Sequence, residues 1–167
     1  MITFYSIEIF LELNFKYSFI KFKKDILVSD NFSKLEEMRE KNPKTVIPIL
    51  PNKDVSKKFW PLSGIQNRNT VYCNESGYWS TYHSDRYGFN NPDYIWDNEK
   101  FDYMLVGDSF THGACVNRPD DIASVLRLLS NKSVLNLGYA AKGPLSEYAT
   151  LREYIRPNIK KIVWFYF

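Results

Sequence analysis

The sequence predicts an α/β domain built on a parallel sheet, and three observations carry that prediction. Between residues 101 and 167, three short apolar runs, Tyr103–Val106, Ser133–Leu137 and Lys161–Phe167, alternate with two segments of helical character. The runs are nearly continuously apolar, the pattern of strands covered on both faces. Gly107 follows the first run and Gly138 the second, as turns at strand ends require.

The elements follow in chain order. Met1 to Phe22 is dense in apolar residues but interrupted by Glu8, Glu12 and Lys16, so it is too charged to span a bilayer. It also lacks the basic start, the unbroken apolar stretch and the small-residue cleavage site of a secretory signal. Two readings stay open: an amphipathic helix docked on the domain, or the outer end of a membrane anchor that begins upstream. Ser33 and Glu36 have capping-box spacing and open a short helix that ends near Lys41. Pro43, Pro48, Pro51 and Pro61 then punctuate the chain, and every glycine lies at or after Gly64. Residues 1–60 therefore read as a helical extension and linker.

From Thr70 to Trp96, β-rich runs alternate with turn signals, which predicts a hairpin or small antiparallel appendage over 61–100. In the last part, 101–167, Pro119-Asp120-Asp121 opens a helix with Ile122, Val125, Leu126 and Leu129 at helical spacing. Asp120 and Asp121 supply favourable charge at its start. Pro144 to Ile155 is a second helix, closed by Pro157. The order β-α-β-α-β implies right-handed crossovers. The third run has neither turn nor cap, and a sheet that ended there would present an apolar edge. The chain is therefore expected to be the first half of a longer domain.

Composition narrows the function classes. The net charge is +3; residues 1–60 hold 11 Lys+Arg against 8 Asp+Glu, and residues 61–167 hold 11 against 11. No basic stripe with interleaved aromatics tracks a groove, so nucleic acid is not an expected partner. Cys73 and Cys115 form no Cys-x-x-Cys or Cys/His cluster, so neither metal nor other cofactor is expected. They are either two buried thiols or, in an exported protein, one disulfide.

Chemistry should gather beyond the carboxyl ends of the strands. After the first strand comes Gly107-Asp108-Ser109-Phe110-Thr111-His112-Gly113, a glycine-bounded turn that would present a serine hydroxyl. Asp108 is expected to bond loop amides and fix that turn. Serine needs a base and an oxyanion hole to act as a nucleophile. After the second strand, Asn136 to Gly143 leads into a helix and can aim backbone N–H groups at an anionic oxygen. His112 lies close in sequence to Ser109, but a triad base approaches from a separate loop. It reads as an exposed or capping residue, and His83 as a surface or packing one.

These residues resemble the SGNH/GDSL hydrolase superfamily over roughly 101–167. Gly107-Asp108-Ser109 with Gly113 matches its first motif, Asn136 to Gly143 its second, and Val163–Phe167 is similar to the strand leading to its third. Ser84 to Asp93 is similar to the segment before the core in a bacterial, often membrane-anchored, envelope-polysaccharide-associated subgroup. The resemblance implies a flavodoxin-like three-layer sandwich. It implies Ser109 as nucleophile, the Ser109 and Ala141 amides as oxyanion donors, and Gly107, Asp108, Gly113, Asn136, Gly138 and Gly143 as the supporting loop. Ala141 stands where the family has glycine. The third-motif Asn and the late Asp-x-x-His would lie beyond Phe167, so residues 1–167 alone are expected to be catalytically silent. The implied function is hydrolysis of O-acyl esters, O-acetyl esters of envelope glycans included, or acyl transfer by the same chemistry. The expected partner is an acylated small molecule or glycan, with a periplasmic or membrane-anchored location. The competing reading is a non-catalytic carbohydrate-binding or assembly module using Tyr72, Tyr78, Trp79, Tyr82, Tyr87 and Trp96.

Overall fold

The structure, a computed structural model, describes residues 45–46, 61–72 and 77–166. The chain divides into two units, residues 1–41 and 42–167, and every described residue belongs to the second. The N-terminal apolar segment, the Ser33 helix, most of the proline-punctuated linker and Cys73 lie outside the described residues.

Two three-stranded sheets make up the described fold. In the first, β1 (Thr45–Val46) runs parallel to β2 (Asn69–Val71), which pairs antiparallel with β3 (Thr81–His83). That is the expected hairpin, with Asn69 opposite His83 and Val71 opposite Thr81. In the second, β4 (Phe101–Val106) is central, flanked by β5 (Val134–Asn136) and β6 (Ile159–Trp164), both parallel to it. Helices α1 (Ser109–His112) and α2 (Ile122–Ser130) connect β4 to β5, and α3 (Pro144–Tyr154) connects β5 to β6. The class is thus mixed α/β with a parallel three-stranded sheet.

The order β5-β4-β6 means that the two connections lead to opposite sides of the central strand. Such a reversal opens a crevice at the carboxyl end of that strand, because the flanking connections diverge there. Gly107-Asp108-Ser109 occupies this position.

Both faces of β4 are covered. Met104 and Val106 pack with Leu135, Leu137, Phe89, Ile95 and Trp96, backed by Leu151 and Tyr154 of α3. Leu105 packs on the other side with Ala123 and Val134, backed by Leu126 and Val163. Double coverage fails at β6, where Ile162 and Trp164 are exposed at the sheet's edge. β6 starts at Ile159, opposite Phe101 and earlier than the apolar run suggests, and Lys160 Nζ pairs with Asp102 Oδ1 at 2.7 Å.

Helix α2 is rotated from its expected setting. Ala123 is fully buried and Leu126 partly so, whereas Ile122, Val125 and Leu129 are exposed. Polar anchors set the rotation. The Asp121 side chain caps the helix by accepting from the Ser124 amide, and Arg127 Nε donates to the Val134 carbonyl at 3.0 Å.

The segment after β3 does more than turn. Asp85 is completely buried, and its carboxylate accepts from the Tyr87 and Phe89 amides, Asn91 Nδ2 and Trp96 Nε1 at 2.7–2.9 Å. Burial pushes its carboxyl up from the ordinary range, against four N–H donors that favour the ionised form. This hub folds 85–97 so that Phe89 and Trp96 reach the core, and a 3₁₀ turn spans Asp93–Asp97. By contrast, Arg86 pairs with Asp93 and Asp97 near the surface, where water screens such pairs and they contribute little. Cys115 is disulfide-bonded, and Cys73 is the sequence's other cysteine.

Asp85→Ala strands four buried donors and is expected to cost roughly 3–5 kcal/mol in urea unfolding. Tyr94→Ala, on the exposed side of the 3₁₀ turn, should cost under about 0.5 kcal/mol. Equal effects of the two changes would overturn the hub's role.

Candidate functional site

The ends of the three parallel strands converge. The Leu137 amide bonds the Leu105 carbonyl at 2.8 Å, the Tyr139 amide the Gly107 carbonyl at 3.2 Å, and the Phe165 amide the Val106 carbonyl at 2.9 Å. Ser109 sits just beyond β4, as the first residue of α1, and is partly exposed. Asp108 caps that turn by accepting from the Phe110 amide at 3.0 Å, the role expected of it. Gly113 ends α1 with φ +80°, a left-handed setting that a Cβ would disfavour, and its own position lies against Asp121.

Asn136 joins the serine turn to the second loop. Its Nδ2 donates to the Thr111 carbonyl at 2.7 Å and its Oδ1 accepts from the Gly138 amide at 2.9 Å. The backbone of Gly138 is pressed so close that a Cβ there would fall on the His112 nitrogen and the Thr111 carbonyl carbon. Asn136 is itself held from the other side: Asn91 Nδ2 donates to its carbonyl at 2.8 Å, and its amide donates to Asn91 Oδ1 at 2.9 Å. The Asn91 carboxamide thus supplies the edge of β5 with the donor and acceptor a neighbouring strand would provide. Arg127 in turn donates to Asn91 Oδ1 at 2.7 Å.

Ala141 follows in the second loop, exposed, with φ +57°. It adopts the left-handed conformation that a glycine would reach without strain, at a cost of about 1–2 kcal/mol. Gly143 is exposed and precedes α3, where Ser146 Oγ accepts from its amide at 3.0 Å. The structure therefore gathers Gly107, Asp108, Ser109, Gly113, Asn136 and Gly138 into one interlocked assembly, with Ala141 and Gly143 on the loop leaving it.

His112 differs from its expected setting. It is buried, its ring stacked on Tyr72 at 4.7 Å between centroids and edge-on to Tyr82 and Tyr139 at 4.9 and 5.6 Å. Nδ1 lies 3.3 Å from the Gly138 carbonyl, which assigns the ring proton to Nδ1 and the lone pair to Nε2. Burial lowers its pKa to about 4, so the ring is neutral and structural. Its apolar surroundings, invisible in a linear reading, come from Tyr72 and Tyr82 in and beside the hairpin and from Tyr139 in the second loop. His83 is exposed and bonds Asn69, as a surface residue should. Among the described residues no group accepts the Ser109 hydroxyl proton, and no cluster of His, Cys, Asp and Glu is placed to hold a metal ion.

The aromatic segment does not form one exposed face. Tyr82 and Trp96 are buried, Tyr72 stacks on His112, and Tyr78 and Tyr87 are exposed.

Sequence reasoning passes over Lys142 and Glu147, which the fold brings beside this assembly. Lys142 reaches back to place Nζ 2.6 Å from Thr150 Oγ1, over the rings of Phe89 and Tyr139. Glu147 is buried and accepts from Trp164 Nε1 at 2.6 Å, fastening α3 to the end of β6. A polar residue in a small-residue loop carries no sequence signal of burial.

The fold and the loops thus define a mixed α/β protein with a serine turn at the switch point of a parallel sheet. No family model, curated protein or solved structure matches the chain.

Two glycine exchanges test the loop in opposite directions. Gly138→Ala should cost roughly 2–4 kcal/mol by forcing the serine turn off the second loop. Ala141→Gly should gain roughly 0.5–1 kcal/mol, the relief of left-handed strain less the entropy of a glycine in the unfolded chain. Losses for both in denaturant titrations would contradict the Ala141 backbone setting.

His112 also makes stability depend on acid. Its folded pKa lies below the unfolded value, so the unfolded chain takes up protons first and stability falls as pH drops from about 6.5 to about 4. The loss is on the order of 3 kcal/mol. His112→Phe should flatten that part of the stability–pH curve; an unchanged slope would show that the loss arises elsewhere.

Proposed function

We propose that the chain carries the nucleophile-bearing part of an SGNH-type serine ester hydrolase, with Ser109 as nucleophile and the Ser109 and Ala141 amides as oxyanion donors. The observation that supports this most is the interlock of the serine turn with the second loop, through Asn136 and Gly138, at the switch point of the sheet. It brings a partly exposed hydroxyl and the loop that carries Ala141 to the same end of one parallel sheet.

In this mechanism Ser109 Oγ adds to the acyl carbonyl and the carbonyl π pair moves to oxygen, where backbone N–H groups stabilise the charge. The alkoxide leaves with the proton taken from Ser109, and water then releases the acyl group. A second alcohol in place of water makes the same site a transferase. Proton transfer needs a histidine oriented by a carboxylate. His112 does not fill that place, because its Nδ1 is committed to Gly138 and its ring is enclosed by tyrosines. We assign the substrate to the O-acyl esters, O-acetyl groups of envelope glycans included. A periplasmic or membrane-anchored setting fits the disulfide at Cys115, since such bonds persist in oxidising compartments.

A boronic acid tests the nucleophile and the donors without requiring a base. Phenylboronic acid at pH 7, where the free acid stays trigonal, should form a tetrahedral adduct on Ser109, seen as an upfield ¹¹B shift and as movement of the Ser109 and Ala141 ¹⁵N–H signals. Ser109→Ala should abolish both. Boron that remains trigonal at millimolar protein, or an adduct indifferent to the substitution, would sink the assignment.

A further inference from the structure

We propose that Lys142 is a positioning residue of this site: laid back along α3 onto Thr150, it pins the 139–143 loop and with it the Ala141 amide. The purpose assigned to that amide rests on the reading above; the pinning itself does not.

The geometry is that of an anchor. Lys142 follows Ala141 directly, yet its side chain turns away from solvent and ends two helical turns down α3, 2.6 Å from Thr150 Oγ1. The Thr150 hydroxyl donates to the Ser146 carbonyl at 2.8 Å, so its oxygen is left to accept from Lys142. Phe89 and Tyr139 present ring faces to Nζ at 5.4 and 5.7 Å. The tie therefore spans the loop from its core side, and it opposes the left-handed strain stored at Ala141.

The pin is also sensitive to protons. The groups facing Nζ are Glu147 on α3, His112 on α1 and Tyr139 on the loop. Glu147 attracts the ammonium but is committed to Trp164, while His112 is neutral above its lowered pKa. Burial dominates and lowers the amine to about 7. Above that pH the neutral amine suits its one hydrogen bond; below it the loop must hold a largely desolvated charge or let Lys142 swing out. Because the unfolded lysine stays protonated to a much higher pH, this group's contribution to stability rises between about 7 and the ordinary lysine range.

The test uses the whole 167-residue chain, isotopically labelled. The Lys142 ¹³Cε resonance should titrate about three pH units below the other lysines. Amide-exchange protection over 139–143 should fall at least tenfold as pH drops through that midpoint. Lys142→Met lacks both the charge and the N–H that bonds Thr150, so its loop should lose about tenfold in protection at pH 8 and show no step through pH 7. Thr150→Val should lower protection about tenfold at pH 8, and it serves if the methionine variant folds poorly. A Lys142 that titrates with the other lysines, or protection that varies with pH alike in wild type and Lys142→Met, overturns the proposal. If the loop responds as expected while phenylboronic acid still fails to engage Ser109, the esterase reading falls and the pin stands. If the adduct forms and its affinity and the loop ignore Lys142, the reverse holds.

Discussion

The buried carboxamide of Asn136 is the interaction on which the carboxyl end of the sheet depends. One side chain satisfies the Thr111 carbonyl and the Gly138 amide together, two backbone groups from different loops that would otherwise be stranded out of water. Its own backbone is held by Asn91, which Asp85 holds in turn. A continuous run of buried amides and one carboxylate therefore links the segment after the hairpin to the serine turn. Such networks specify one arrangement strongly, because a half-satisfied buried network is worse than an apolar core.

What was legible in the sequence follows from which forces act locally. Strands β4 and β5 announce themselves as apolar runs, since a strand covered on both faces needs no alternation. The start of α3 is equally plain, because Pro144 suits a first helical turn. The serine turn is marked by Gly107, Asp108 and Gly113, each meeting a short-range backbone demand. What escaped is set by distant partners. Arg127 of α2 bonds the Val134 carbonyl and Asn91 Oδ1 outside the helix, partners that its aliphatic periodicity does not reveal. His112 and Lys142 look like surface residues until tyrosines and Phe89, remote in sequence, close over them. Asp85 and Asn91 share the composition of an ordinary turn, and only the depth of the segment in the fold turns them into core residues.

The two basic side chains next to the site lose their charge for one reason. His112 and Lys142 each sit where desolvation outweighs attraction, and the Lys142 ammonium further lowers the tendency of His112 to ionise. Under the proposed function, an oxyanion at this end of the sheet would be met by oriented backbone amides.

Ala141 shows how that holding is distributed. A glycine would reach φ +57° without strain, but it would also lose more conformational entropy on ordering and leave the loop looser. Alanine in the same setting accepts a modest strain that neighbouring contacts must resist. Tyr139 resists it from one side through its amide bond to Gly107, and Lys142 from the other through Thr150. Strain bounded by two fixed points is confined to the residue between them. The Ala141 amide then has a direction set by the sheet and by α3 together, and the rigidity that glycine would surrender is recovered from the far end of a buried lysine.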